Sequence, residues 1–156
     1  MSIEIKRWQS SIRDVRAGAG VTVVEPSNLF ECELGDGVFV GPFVEIQRGV
    51  RVGARTRVQS HAFICELVTI GEDCFVSHGA MFVNDTFARG GPARGDQTLW
   101  RSTTIGDRVS IGTNATIMPV QICDDVVIGA GAVVARAITE PGLYAGVPAR
   151  RIGDFK

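Results

Sequence analysis

The sequence predicts an all-β fold assembled from six-residue steps. Two regular series, with one long break in them, carry that prediction. Large aliphatic or aromatic residues stand at Leu34, Val40, Ile46, Val52, Val58, Ile64, Ile70, Val76 and Phe82, nine consecutive positions spaced by six. An α-helix repeats its buried face about every 3.6 residues and a simple strand every second residue, so neither alone accounts for this stripe. A second series follows four residues after the stripe, at Val38, Val44, Val50, Thr56, Ala62, Val68, Cys74 and Ala80, and every member is small or β-branched. Glycine follows the stripe directly at Gly35, Gly41, Gly53 and Gly71. The break runs from Phe82 to Ile105, 23 residues where a multiple of six is expected.

The elements follow in chain order. The N-terminal "AGAGVTVVEPSNLFECEL" has strand-like runs in weaker register, as an atypical capping unit does. After the break the stripe resumes at Ile105, Ile111 and Ile117, with Val109 and Ala115 as small partners. Five residues then separate Ile117 from Ile122 before Ile128 and Val134 restore the six-residue step, so "IMPVQICDD" predicts a shortened corner that Pro119 helps to set. The pattern resembles the hexapeptide repeat of the left-handed parallel β-helix, in which each hexad forms one face of a triangular prism and three hexads close a coil. The resemblance implies coils over about 15–83 and 104–139, a protruding loop over 84–103 and a tail over 140–156 that leaves the prism. Large residues fill the interior, small ones sit beside them near a corner, and glycine tolerates turn dihedrals that a Cβ penalises. Equivalent residues of successive coils, 18 apart, stack at about 4.8 Å.

A chain of 156 residues suits one domain. Its net charge of −1, from 16 basic and 17 acidic residues, supplies no field for a nucleic-acid backbone or an anionic membrane. No apolar run reaches membrane-span length, and "MSIEIKRWQSS" lacks a signal-peptide core, so a soluble, cytoplasmic protein is expected. Cys32, Cys65, Cys74 and Cys123 form no C-x-x-C pair and read as reduced, buried side chains.

The break contains Asp85, Arg89, Gly90, Gly91, Pro92, Arg94, Gly95, Asp96, Trp100 and Arg101, which is turn chemistry. A long loop on a rigid scaffold either carries function or packs on a neighbouring subunit. Here the stretches "VQSHAFICELVTIGEDCFVSHGAMFVNDTFARGG", "TTIGDRVSIGTNATIMPVQICDDVVIGAGAVV" and "EPGLYAGVPARRI" resemble the acetyl-CoA-dependent hexapeptide acyltransferases. They are most similar to the N-acetyltransferases that acylate a 3-amino group on a dTDP- or UDP-linked deoxy sugar for surface glycans. The "AGVPAR" tail carries the superfamily resemblance, and the "HGAMFVND" junction carries the sugar-amine branch. The family implies a homotrimer with sites between subunits.

Acetyl transfer to an amine needs a free amine, a polarised thioester carbonyl and an acceptor for the proton released. Relatives acting on hydroxyls place a histidine in this loop as general base, whereas this loop has none and begins with Asn84 and Asp85. Glu66 lies 18 residues before Asn84, one coil below it. The expected roles are Glu66 and Asp85 orienting the amino sugar or taking its proton, with Asn84 bonding the amine or the thioester carbonyl; otherwise Glu66 is a solvated corner residue and Asn84 a turn former. His78, shortly before the loop, is a candidate to assist proton transfer or contact substrate, and His61 to contact substrate; the alternative for both is a hydrogen-bonded corner residue. As metal ligands they fall short, because the γ-class carbonic anhydrases of this fold need three zinc-binding histidines and this chain has two.

For acetyl-CoA the resemblance implies a groove along the coils after the loop. Gly129, Ala130, Gly131 and Ala132 would admit the pantetheine arm against backbone amides, Arg136, Arg150 and Arg151 would meet phosphates, and Pro148 would fix the tail beside the adenine. Those glycines equally suit turns, and the tail equally suits a cap. Arg89, Arg94 and Arg101 are candidates for the nucleotide diphosphate, and Trp100 either stacks on a ring or buries against a subunit partner. The competing functions are an O-acetyltransferase on a sugar or small alcohol, against which the missing loop histidine argues, and a non-catalytic β-helix assembly subunit.

Overall fold

The computed structural model describes residues 12–155, so the N-terminal segment considered above as a possible leader lies outside the described residues. The chain forms the parallel β-helix expected from the repeat. Three parallel sheets make the faces of a prism. The first face stacks Ile12–Arg13, Asn28–Phe30, Glu45–Ile46, Phe63–Ile64, Met81–Phe82, Thr116–Ile117 and Val133–Val134, so seven coils are stacked. The second runs from Arg16–Ala17 through Glu33–Leu34, Arg51–Val52, Val68–Ile70 and Thr103–Ile105 to Gln121–Ile122. The third includes Phe39–Val40, Arg57–Val58, Phe75–Val76, Ser110–Ile111 and Val126–Ile128.

Both series point inward. All nine stripe residues and all eight small partners are buried, each fully enclosed aliphatic contributing about 1.5–3 kcal/mol of hydrophobic stabilisation. The one polar member, Thr56, is satisfied: its Oγ1 donates to the Gly71 carbonyl at 2.9 Å and accepts from Cys74 N–H at 3.0 Å. Cys32, Cys65 and Cys74 are buried and Cys123 is half-buried, all with free thiols. Burial pushes the Cys32 thiol up to about 11 and that of Cys65 to about 12.

Two expectations need correction, and a third, the shortened corner, is met and extended. The glycines after the stripe do not serve left-handed turns, since Gly35, Gly41, Gly53 and Gly71 are absent from the positive-φ set while Phe43, Arg55, His61, Leu67, Asp73, Arg108 and Asn114 are in it. Their reason is close approach between coils: a Cβ on Gly35 would lie 2.7 Å from the Ala54 nitrogen, and one on Gly53 would strike the Gly71 carbonyl. The tail does not simply leave the prism. Gly142–Ala145 adds a parallel strand to the third face beside Val126–Ile128, and Arg150–Gly153 returns antiparallel on it. The five-residue step at Ile117 is not an isolated slip either. Partnered inward residues are six apart at the corners from second to third face and from third to first. The first-to-second corner instead takes five residues from Leu29 to Leu34, six from Ile46 to Val52, 23 from Phe82 to Ile105 and five from Ile117 to Ile122. The loop and the shortened step therefore share one corner.

The second-to-third corner is held by charge. Arg55 donates to both Asp73 carboxylate oxygens at 2.7 and 2.8 Å and to Glu72 at 2.6 Å; Arg108, stacked above, does the same to Asp125 at 2.7 and 2.9 Å. Hydrogen bonds from Arg55 hold the Asp73 carboxyl below the usual carboxylate value, with the Arg55 and Arg108 charges adding to the effect, and Arg108 does the same for Asp125. A depressed folded-state pKa stabilises the fold above the unfolded value of about 3.9 and loses that contribution as pH falls through the folded value. The melting-temperature gap between wild type and the Asp73→Asn/Asp125→Asn variant is therefore expected to shrink on acidification below about pH 4, which a pH series of thermal melts checks.

Candidate functional site

At the first-to-second corner, Glu31, Arg48, Glu66 and Asn84 occupy successive coils. Arg48 grips Glu31 through two hydrogen bonds, at 2.6 and 3.0 Å. Asn84 Nδ2 donates to the Glu66 carbonyl at 3.3 Å, so the two residues meet where the 18-residue spacing put them. Arg101 N–H donates to the Asn84 carbonyl at 2.9 Å and closes the neck of the loop, and Thr103 N–H reaches the Leu67 carbonyl at 3.0 Å to re-enter the second face. The Asn84 Oδ1 and the Glu66 carboxylate make no hydrogen bond among the described residues, and Glu66 adds to the negative field on Arg48.

A polar chain that sequence reasoning missed climbs to this point. Arg13 donates to Asn28 Oδ1, Asn28 Nδ2 to Glu45 Oε2 at 3.2 Å and Gln47 Nε2 to Glu45 Oε1 at 2.7 Å. Gln47 Oε1 then accepts from Glu66 N–H at 3.3 Å. The backbone of Glu66 is thus held from the coil below by Gln47 and from the coil above by Asn84, which sets the direction in which its side chain leaves the prism. The signal was present as polar residues recurring one coil apart.

Asp85 stands at the loop root as expected, but both its oxygens are engaged. Oδ1 accepts from Phe87 N–H at 2.9 Å and Oδ2 from Ala93 N–H at 2.7 Å, so its carboxylate orders the loop around the buried Ala93. Asp96 caps the short turn Gln97–Leu99 by accepting from Thr98 N–H, and Trp100, half-buried, closes that turn. Arg89 reaches Asp96 at 4.0 Å, and Arg94 and Arg101 are exposed.

His78 is not beside the loop root. It and His61 lie at the third-to-first corner, with the strand Met81–Phe82 between His78 and Asn84; sequence proximity misled because that strand crosses a whole face. His61 stacks on Phe43 at 4.9 Å, and both rings are exposed. Gly129 to Ala132 form the same corner three coils above His61. Three of their amides are already used: Gly129 N–H bonds to the Tyr144 carbonyl, Gly131 N–H to Thr113 and Ala132 N–H to Gly129. What remains is a single file. The N–H groups of Ser60, His78, Thr113 and Ala130 have no acceptor among the described residues, whereas the amide following each of the first three bonds to the coil below, as Gly79 N–H does to the Ser60 carbonyl and Asn114 N–H to that of His78. Coil stacking spaces these donors at about 4.8 Å.

At the C-terminal end of the prism, Arg136, two residues beyond Val134 and in the column of Arg48, Glu66 and Asn84, lines a cavity of about 200 Å³ with Tyr144, Arg150 and Arg151. Arg151 is committed to the Pro141 carbonyl and to an ion pair with Asp154, and Arg150 to the Ala149 carbonyl at 2.9 Å; Arg136 has no partner among the described residues. Pro148 is exposed in the turn of the tail hairpin. Among the described residues no three His, Cys, Asp or Glu side chains converge, and no helix is long and apolar enough to cross a membrane.

Comparison with known proteins agrees with the fold. Residues 31–66 match the bacterial transferase hexapeptide (six repeats), and residues 102–136 match the hexapeptide repeat of succinyl-transferase. A serine acetyltransferase of Mycobacterium tuberculosis is 35% identical over 115 residues, covering 71% of this chain and 46% of the relative, so the chain spans about half the length of that protein. A variant of perosamine N-acetyltransferase from Caulobacter crescentus, solved with CoA and GDP-perosamine, superposes with a TM-score of 0.67 at 24% identity, over 93% of this chain and 58% of the other. A galactoside acetyltransferase solved with coenzyme A gives 0.66 at 26% identity, over 78% and 64%. The chain is a hexapeptide-repeat β-helix with two stretches that match bacterial-transferase repeat models, and it shares its fold with solved acetyltransferases.

Proposed function

We propose that this protein is a cytoplasmic, homotrimeric N-acetyltransferase that moves acetyl from acetyl-CoA to the amino group, at C3, of a dTDP- or UDP-linked amino-deoxy sugar for surface glycan synthesis. The observation that carries the reading is the division of polar equipment between two corners. Glu66 and Asn84 stand at one, with Arg136 higher in the same column; His78 and the file of free amides stand at another, and Arg150 and Arg151 join Arg136 at the C-terminal end of the prism. Packing the first of these corners against the second on a neighbouring copy assembles a complete complement. The outward residues beside the third-to-first corner suit such packing, since Phe75 and Met81 are exposed there while the second face presents Arg16, Glu33 and Arg51.

In this reading the upper amides of the file, those of Thr113 and Ala130, hydrogen-bond the pantetheine arm and Arg136, with Arg150 and Arg151, attracts the phosphates. The amine nitrogen attacks the thioester carbonyl, the C–S bond breaks, an amide forms and the thiolate leaves. Asn84 Oδ1 accepts from the amine, Glu66 takes the ammonium proton, and Asp85 holds the loop over the sugar. Amines need less help from a base than alcohols, in keeping with a loop that has no histidine. The similar perosamine enzyme was solved with CoA and a nucleotide-linked amino sugar, which supports the substrate class. A thiol-release assay with acetyl-CoA and a panel of dTDP- and UDP-amino sugars, with hydroxyl-only sugars alongside, tests it. Turnover is expected with the amino sugars alone; turnover with the hydroxyl sugars alone would overturn the acceptor, and failure to bind CoA in a calorimetric titration would overturn catalysis.

A further inference from the structure

Phe43 poses a question that the fold does not answer. It adopts φ 61, a region unfavourable for a bulky side chain, and its ring is 56% exposed, so neither backbone preference nor burial accounts for a phenyl group there. Directly above it, His61 lies over the ring at 4.9 Å with 30° between planes. The next member of the same column is Gly79, which offers no side chain to cover the upper face of His61. The member above that, Asn114, leans its carboxamide over the glycine: a methyl group on Gly79 would collide with Asn114 Oδ1. The result is a slot with an aromatic floor, a glycine wall and a carboxamide roof. The Asn114 carboxamide, both donor and acceptor, makes no hydrogen bond through its side chain among the described residues, and the free N–H groups of Ser60 and His78 stand beside the slot.

We infer that this slot binds the heterocyclic base of the acceptor nucleotide, stacked on His61 and read at its edge by Asn114. The inference rests on the nucleotide-sugar reading above and adds the subsite to it. A flat ring with an imide or amide edge fits both the floor and the roof, whereas a sugar or an aliphatic arm would leave the stacked rings unused. The direction is also consistent: the file of amides climbs from here past His78 to Thr113 and Ala130, so base and pantetheine take successive levels of one corner.

The test is calorimetric titration of dTDP and UDP, with inorganic pyrophosphate as the base-free probe and CoA as the control, on wild type, His61→Ala, His61→Phe and Asn114→Ala. Expected are a weakening of nucleotide binding by about tenfold or more in His61→Ala, recovery to within about threefold in His61→Phe, and unchanged CoA affinity. Equal nucleotide affinity in wild type and His61→Ala, or pyrophosphate binding as tightly as dTDP, would overturn the slot. So would loss of the oligomer in His61→Ala, since the stack would then be a subunit contact. Acetyl transfer distinguishes the two levels: an unchanged KM for the nucleotide sugar in His61→Ala rejects the slot alone, while turnover with unlinked amino sugars and none with linked ones rejects the nucleotide-sugar reading and the slot with it.

Discussion

Replacing Phe82 with alanine is expected to destabilise the protein by about 3–5 kcal/mol, the range for deleting a buried aromatic ring. The side chain is 1% exposed and stands in the inward column of the first face between Ile64 and Ile117. Its neighbours are fixed by strand ladders above and below, so the cavity has little room to collapse. For a chain of this size that corresponds to a fall in melting temperature of about 10 °C or more, measured by thermal unfolding at fixed protein concentration. The effect reaches the loop as well. Val83 and Asn84 follow Phe82 directly and anchor the loop neck, so trypsin is expected to cleave at Arg89 and Arg94 faster in the variant. A loss below about 1 kcal/mol would mean that the coil repacks around the gap and that the neck is not braced by the core.

The second large effect concerns chemistry. Glu66→Gln is expected to lower kcat for acetyl transfer by about a hundredfold while leaving KM nearly unchanged, because the amide keeps the size of the side chain and its corner but no longer accepts a proton. Asn84→Ala removes the bond to the Glu66 carbonyl as well as the Oδ1 acceptor, so both kcat and KM are expected to worsen. Steady-state kinetics of both variants decide the matter: rates within about threefold of wild type would remove both residues from the mechanism.

The inward architecture was legible because burial in a solenoid is periodic, and a period shows itself in a single sequence. Every stripe residue from Leu34 to Phe82 is buried, and so are Ile105, Ile111 and Ile117 after the break. The meeting of Asn84 with Glu66 was legible for the same reason, as one coil's worth of spacing. His78 was misplaced because nearness along the chain says nothing about which corner a residue occupies. The roles of Gly35 and Gly53 were misread because φ and the gap between coils are properties of the folded backbone, and glycine answers to either. The engagement of Asp85 by Phe87 and Ala93 depends on loop geometry, which no repeat encodes.

The uneven first-to-second corner gives this protein one editable edge. Met81–Phe82 pairs with Thr116–Ile117, and Val68–Ile70 with Thr103–Ile105, as though the intervening loop were not there. An excursion that begins and ends in register leaves each coil's ladder intact, and lengthening a flexible connection costs only about 0.6 kcal/mol per doubling. The other two corners keep a six-residue step in every described coil. The loop can therefore change in length and sequence at this edge while the rest of the scaffold, including the file of amides on the far corner, stays unaltered.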